Sequence, residues 1–89
     1  MTTRSLKIIN EKGLHARASA KLVEVVEGFD AQAEVSKDGF SAAGDSIMGL
    51  LMLAASRGTT IDVETSGPDA EALADALETL VNDKFGEGF

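Results

Sequence analysis

The histidine of this 89-residue chain, His15, is its only one, and it stands in the stretch Gly13-Leu14-His15-Ala16-Arg17-Ala18-Ser19-Ala20. A neutral imidazole nitrogen is a nucleophile. Upstream, Leu6-Lys7-Ile8-Ile9 reads as a strand, whereas Ala18, Leu22, Val25, Val26 and Phe29 recur at helical spacing, so the change of period falls near His15. The ring therefore sits at a helix start, where unpartnered N–H groups and the positive end of the macrodipole favour anions. The backbone of Ala16 and Arg17 supplies such N–H groups, and the Arg17 side chain adds a planar fork suited to phosphate oxygens. The dipole contributes only about 0.3–1 kcal/mol, so it assists the nucleophile without creating it. Its larger effect should fall on an anionic group, such as a phosphoryl group, once one is attached to His15.

An arbitrary lone histidine is more often a helix cap or a loop residue with no chemistry. Here Gly13 gives backbone freedom just before the ring, and Ala16, Ala18 and Ala20 leave space around it. No metal site is expected, because the chain has no second histidine and no cysteine. No motif places a serine or cysteine nucleophile beside the ring, which argues against a hydrolytic triad.

The composition narrows the setting. A chain of 89 residues is read as a single domain, 1–89, with a modest core and no deep enclosed pocket. Zero Cys fits a reducing compartment, and Met1 to Leu6 carries no apolar leader, so a cytoplasmic protein without membrane insertion is expected. A net charge of −7 argues against nucleic acid or an anionic membrane and in favour of protein partners. A monomer needing no cofactor is expected.

The elements that must position His15 follow in order. A first strand, Leu6 to Ile9, leads through the turn Asn10 to Gly13 into a helix over Ala16–Glu27, which Gly28 ends in a left-handed conformation. Ala31–Ser36 alternates strictly and reads as a strand with one wet face. Asp38-Gly39 predicts a type I′ hairpin into Phe40–Ala43. A short helix over Ser46–Ala54 follows, with Ser46 as N-cap, and it is apolar on every side, so Ile47, Met48, Leu51 and Met52 should stay partly exposed. Thr59–Thr65 is a strand facing Ile61 and Val63 inward. Gly67-Pro68-Asp69 opens the last helix, striped by Ala70, Leu73, Ala74, Leu77, Leu80 and Val81, and Gly86 closes it before a short frayed tail. The order β-α-β-β-α-β-α implies an α+β open-faced sandwich, one sheet covered by helices on a single face.

With Gly13-Leu14-His15-Ala16-Arg17 and Asp45-Ser46-Ile47-Met48-Gly49-Leu50-Leu51 at this spacing, the chain resembles, over essentially its whole length, the HPr family of histidine-containing phosphocarriers of the bacterial phosphoenolpyruvate-dependent phosphotransferase system. The resemblance implies a four-stranded antiparallel sheet of order 1-4-2-3 with three helices on one side. It implies that His15 accepts a phosphoryl group on Nδ1 from phosphorylated enzyme I and gives it to a IIA component, that Arg17 holds phosphate oxygens, and that Ile47, Met48, Leu51 and Met52 lie in the docking surface. Ser46 matches the family's regulatory serine, the target of HPr kinase/phosphorylase. Where the family usually has Pro after the arginine, this chain has Ala18, which stiffens the first helical turn less and implies a more mobile loop; transfer is expected to survive.

The function expected is thus that of a phosphoryl carrier rather than a free-standing enzyme, with the nitrogen-regulatory branch (NPr type) as the close alternative to sugar uptake. A regulatory module acting through Ser46 and the second helix without phosphoryl relay is a different class, and the presence of His15 counts against it. A small acylphosphatase-like hydrolase is a third, and the stretch Gly13 to Arg17 does not resemble its phosphate loop.

Overall fold

Strict alternation along the strands decides the layering of the molecule. The structure is a computed structural model, and it describes residues 1–88. Its elements are β1 (Thr2–Lys7), α1 (Ala16–Glu27), β2 (Gln32–Lys37), β3 (Phe40–Ala43), α2 (Ile47–Met52), β4 (Thr60–Ser66) and α3 (Ala70–Asn82), followed by a short 3₁₀ turn over Lys84–Gly86. In β4, Ile61, Val63 and Thr65 are buried while Asp62 and Glu64 face water, as a period of two requires. All strand pairs are antiparallel and the sheet order is β1-β4-β2-β3. Register places Leu6 opposite Ile61, and Val35 opposite both Val63 and Ala42, so the apolar face is continuous across the sheet.

The helices lie against that face. α3 packs on β1 and β4, α2 on β3, and α1 on both other helices. Leu22, Leu50, Ile61, Leu73, Leu77 and Phe85 are fully buried between the layers. At the rim, Arg4 of β1 donates to Asp75 at 2.8 Å and to Glu78 at 2.7 Å, tying the first strand to α3. This is the expected α+β architecture with strand order 1-4-2-3. The hairpin also has the expected form: Asp38 and Gly39 both adopt positive φ, 52° and 85°.

Several local expectations are corrected. β1 starts at Thr2 and stops at Lys7, instead of spanning Leu6 to Ile9, because its pairing with β4 extends back to Thr2 opposite Thr65. β2 and β4 are each displaced one residue toward the C-terminus from the sequence reading. α2 is shorter than expected, ending at Met52 with Leu53 as cap, and Ala54 then turns left-handed at φ 51°. Gly28 caps α1 in a right-handed conformation (φ −81°), not a left-handed one. Its N–H reaches Val25 O at 3.1 Å and the next N–H, of Phe29, reaches Val26 O, so a tightened last turn satisfies the carbonyls that a left-handed residue would otherwise serve.

The largest correction concerns the C-terminus. The last helix ends at Asn82 instead of running to Gly86, and Glu87, expected in a frayed tail, is hydrogen-bonded: Lys84, Phe85 and Gly86 all have positive φ (55°, 53° and 75°), which turns the chain back under α1. Left-handed non-glycine residues cost roughly 1–2 kcal/mol each. Phe85 is completely buried, a gain of about 1.5–3 kcal/mol, and Lys21 Nζ donates to Phe85 O at 2.7 Å. Lys21 is thus an anchor for the tail. Phe89, the last residue of the expected tail, lies outside the described residues.

Candidate functional site

The loop that delivers His15 is shaped by Gly13. Its φ is +64°, and a Cβ there would lie 2.4 Å from Ala55 O, so only glycine lets the loop lie against the segment that links α2 to β4. Leu14 N–H then donates to Ala55 O at 2.8 Å and the Leu14 side chain enters the core. With its neighbour pinned, His15 falls at the N-cap of α1 in an extended conformation, φ −81° and ψ −176°. Its carbonyl accepts the first helical bond, from Ser19 N–H, at 2.8 Å.

The ring is engaged at both nitrogens. Nδ1 accepts from the backbone N–H of Arg17 at 3.3 Å, so the imidazole is itself the capping group. Capping and chemistry were alternatives in the sequence, and the geometry makes the first compatible with the second: the nitrogen that caps is the one that points at the helical N–H groups. Nε2 faces Glu87 Oε2 in a hydrogen bond. The His15 side chain keeps 27% of its surface exposed, so the ring is open to a visiting group rather than walled in.

Glu87 and Asn10 are the site residues that sequence reasoning missed. The Asn10 amide is wholly buried; its Nδ2 donates to Gly13 O at 2.8 Å and to Glu87 Oε1 at 3.1 Å, while its Oδ1 has no partner among the described residues. Desolvation pushes the Glu87 carboxyl up, but the hydrogen bonds from Asn10 and His15, with the charge of Lys12 and that of the ring when it is protonated, outweigh it and hold it below the usual carboxylate range. Glu87 stands 72 residues from His15 in the chain, and no local pattern announces such a pairing. The one available signal was Phe85, an aromatic residue at the end of the expected last helix that calls for a place in the core.

Ala16 and Arg17 lie at the helix start as expected, both exposed, and the Arg17 guanidinium has no ion-pair partner among the described residues. Ala18 is buried and packed in the core. A shallow depression of about 280 Å³ links Lys12, Leu14 and His15 to Leu51, Ala54 and Ser56, bringing the end of α2 beside the ring. On α2, Met48 and Met52 are 72% and 82% exposed, and Ile47 and Leu51 are exposed in part. Ser46 caps this helix, its Oγ accepting from Gly49 N–H at 3.0 Å. Gly49 is constrained too: a Cβ there would come within 3.0 Å of the Ala42 Cβ, so glycine lets α2 lie close to β3. A larger groove of about 460 Å³ runs along β2 and β3, but it contains neither His15 nor Arg17, and Glu34, Asp45 and Glu64 line it with negative charge hostile to a phosphoryl group.

Among the described residues no group of three or more His, Cys, Asp or Glu side chains is placed to share a metal ion, and no helix is long and apolar enough to cross a membrane.

A family model described as "PTS HPr component phosphorylation site" matches residues 2–83. The chain is 48% identical over 88 residues to the phosphocarrier protein HPr of Cupriavidus necator, covering 99% of each. It is 39% identical over 85 residues to the phosphocarrier protein NPr of Escherichia coli K12, covering 94% of each. Among solved structures, HPr-C-His from Thermoanaerobacter tengcongensis superposes with a TM-score of 0.95 at 36% identity, covering the whole of both chains.

Proposed function

The chain belongs to the HPr family of phosphocarriers of the phosphotransferase system, and from that premise we propose that His15 is its phosphoryl acceptor, loaded on Nδ1 by phosphorylated enzyme I and unloaded by a IIA component. The observation that carries this reading is the placement of Nδ1 on the Arg17 N–H at the start of α1, beside the exposed Arg17 guanidinium. The Nδ1 lone pair attacks phosphorus, and the bond from phosphorus to the donor breaks with its electron pair leaving on the donor. The new phosphoryl oxygens then take over the Arg17 N–H, which a 3.3 Å bond to the ring releases at little cost, and gain the guanidinium. A loose phosphoryl-transfer transition state needs positioning and charge stabilisation more than covalent machinery. The protein is accordingly a carrier that turns over between partners, and Ile47, Met48, Leu51 and Met52 form its docking surface. As part of the same proposal it works in the cytoplasm as a monomer.

Two finer assignments belong to this proposal. The sugar branch is supported by the higher identity to the Cupriavidus HPr than to the Escherichia NPr, with the nitrogen branch as its competitor. Ser46 is proposed as a regulatory site for HPr kinase/phosphorylase. A phosphate there adds about −1.5 to −2 charge at the start of α2 and alters the potential of the docking surface.

Incubation with enzyme I and radiolabelled phosphoenolpyruvate should give an acid-labile, alkali-stable phosphate that vanishes in His15→Ala and persists in Ser46→Ala. Arg17→Ala should slow loading by roughly tenfold to a hundredfold, the loss of a charge-assisted hydrogen bond of about 1.5–3 kcal/mol. Label retained in His15→Ala sinks the carrier reading. An acid-stable phosphate at Ser46, made by the kinase and ATP in a protein that enzyme I does not label, would instead identify a regulatory module acting through Ser46 and α2.

A further inference from the structure

The two hydrogen bonds to the His15 ring agree on where its proton must be. A backbone N–H only donates, so the bond from Arg17 requires a lone pair on Nδ1. An ionised carboxylate only accepts, so the contact with Glu87 requires the hydrogen on Nε2. Glu87 is held for this task by the buried amide of Asn10, and the segment that carries it is held by the buried Phe85 ring and by Lys21 on the Phe85 carbonyl.

We infer that Glu87 is a positioning residue: through Nε2 it selects the neutral tautomer whose nucleophile is Nδ1, and after phosphoryl transfer it faces the positive charge that the ring acquires. The second half rests on the carrier reading above; the first does not. In the transfer the Nδ1 lone pair becomes the N–P bond and the donor departs with its own electron pair. No proton leaves the ring, because Nε2 keeps its hydrogen, and the resulting imidazolium lies against the Glu87 carboxylate. The other charged group acting on Glu87 is Lys12, and Lys21 stands nearby on the Phe85 carbonyl. When an acceptor attacks phosphorus, the N–P pair returns to Nδ1 and the starting tautomer is restored without a proton transfer. The turn that brings Glu87 back is therefore part of the active site.

Glu87→Gln isolates the effect. Its amide oxygen can still accept from Asn10, but the NH₂ group then faces Nε2 and favours a lone pair there, which is the opposite tautomer. In the full chain labelled with ¹⁵N on the imidazole, NMR of the neutral ring should show Nε2–H as the major form, and Glu87→Gln should change the tautomer ratio at least threefold toward Nδ1–H with the backbone amide spectrum otherwise preserved. Glu87→Ala should move it in the same direction by less. In phosphorylated protein, the pH profile of phosphoryl loss, which is faster for the protonated ring, should move to lower pH in Glu87→Gln. An unchanged tautomer ratio in a folded Glu87→Gln protein overturns the inference. If the ratio changes but enzyme I never labels the wild-type chain, the carrier reading fails while the positioning role stands.

Discussion

At the residue scale the site is a short relay of polar atoms: Gly13 O and Glu87 Oε1 on the Asn10 amide, Glu87 Oε2 on His15 Nε2, and His15 Nδ1 on the Arg17 N–H. The carboxylate in this relay titrates below the usual range in the folded chain, so folding favours its ionised form. Its contribution to stability is present in full above its ordinary value of 4.5 and is lost as pH falls through the depressed one. Thermal unfolding followed over that acid range should show a fall in Tm for the wild-type chain that is shallower in Glu87→Gln, which has no proton to take up. Curves that stay parallel would mean the carboxylate is not held by its neighbours. The residue scale is also where the sequence was most legible for His15 and Arg17, whose local order placed them at a helix start. It was blind to Glu87 and to the burial of Asn10, because the partner of each lies across the fold.

The elements meet at turns with different demands, and two glycines that look alike in sequence are not alike in structure. Gly13 has positive φ and its missing Cβ is filled by the Ala55 carbonyl, whereas Gly28 is right-handed with nothing nearer than 3.4 Å to such a Cβ. Gly13→Ala should lose about 2–4 kcal/mol in urea unfolding, from backbone strain and a forced shift of the backbone at Ala55. Gly28→Ala should be neutral or stabilising by up to about 1 kcal/mol, since it only reduces the freedom of the unfolded chain. Equal losses at the two positions would contradict the backbone geometry described. Periodicity located α1, β2, β4 and α3, because each buries one side against the core, whereas β3 followed from the Asp38-Gly39 turn and α2 from its Ser46 cap. Ends were displaced by cross-strand pairing in β1 and by cap geometry at Gly28 and Leu53, which are settled between elements rather than within them.

Across the whole molecule, the C-terminal turn ties the helical layer to the loop that carries His15. Phe85 is the plug: it is completely buried although its own backbone is left-handed. Phe85→Ala should cost about 3–5 kcal/mol, read from chemical denaturation, and should also free Glu87 so that its carboxyl titrates closer to an ordinary value by ¹³C NMR. A destabilised protein in which the Glu87 titration is unmoved would separate the plug from the site. The apolar face of α2 stays outside this closure, since a small open sandwich buries only one side of a six-residue helix.

The amino-acid order by itself determined what local physics can determine. Alternation and helical spacing gave most of the strands and the two long helices, Asp38-Gly39 gave the hairpin and its second strand, the Ser46 cap gave the short helix, and the resemblance built on Gly13 to Arg17 and Asp45 to Leu51 gave the sheet order and the family. Tertiary structure decided what depends on residues far apart in sequence meeting in space: that Glu87 returns to His15, that Asn10 is buried to hold it, and that Lys21 and Phe85 secure the turn between them. Those contacts span 64 to 77 residues, and a pairing at that distance leaves no period or spacing along the chain, because it is made only when the core has closed.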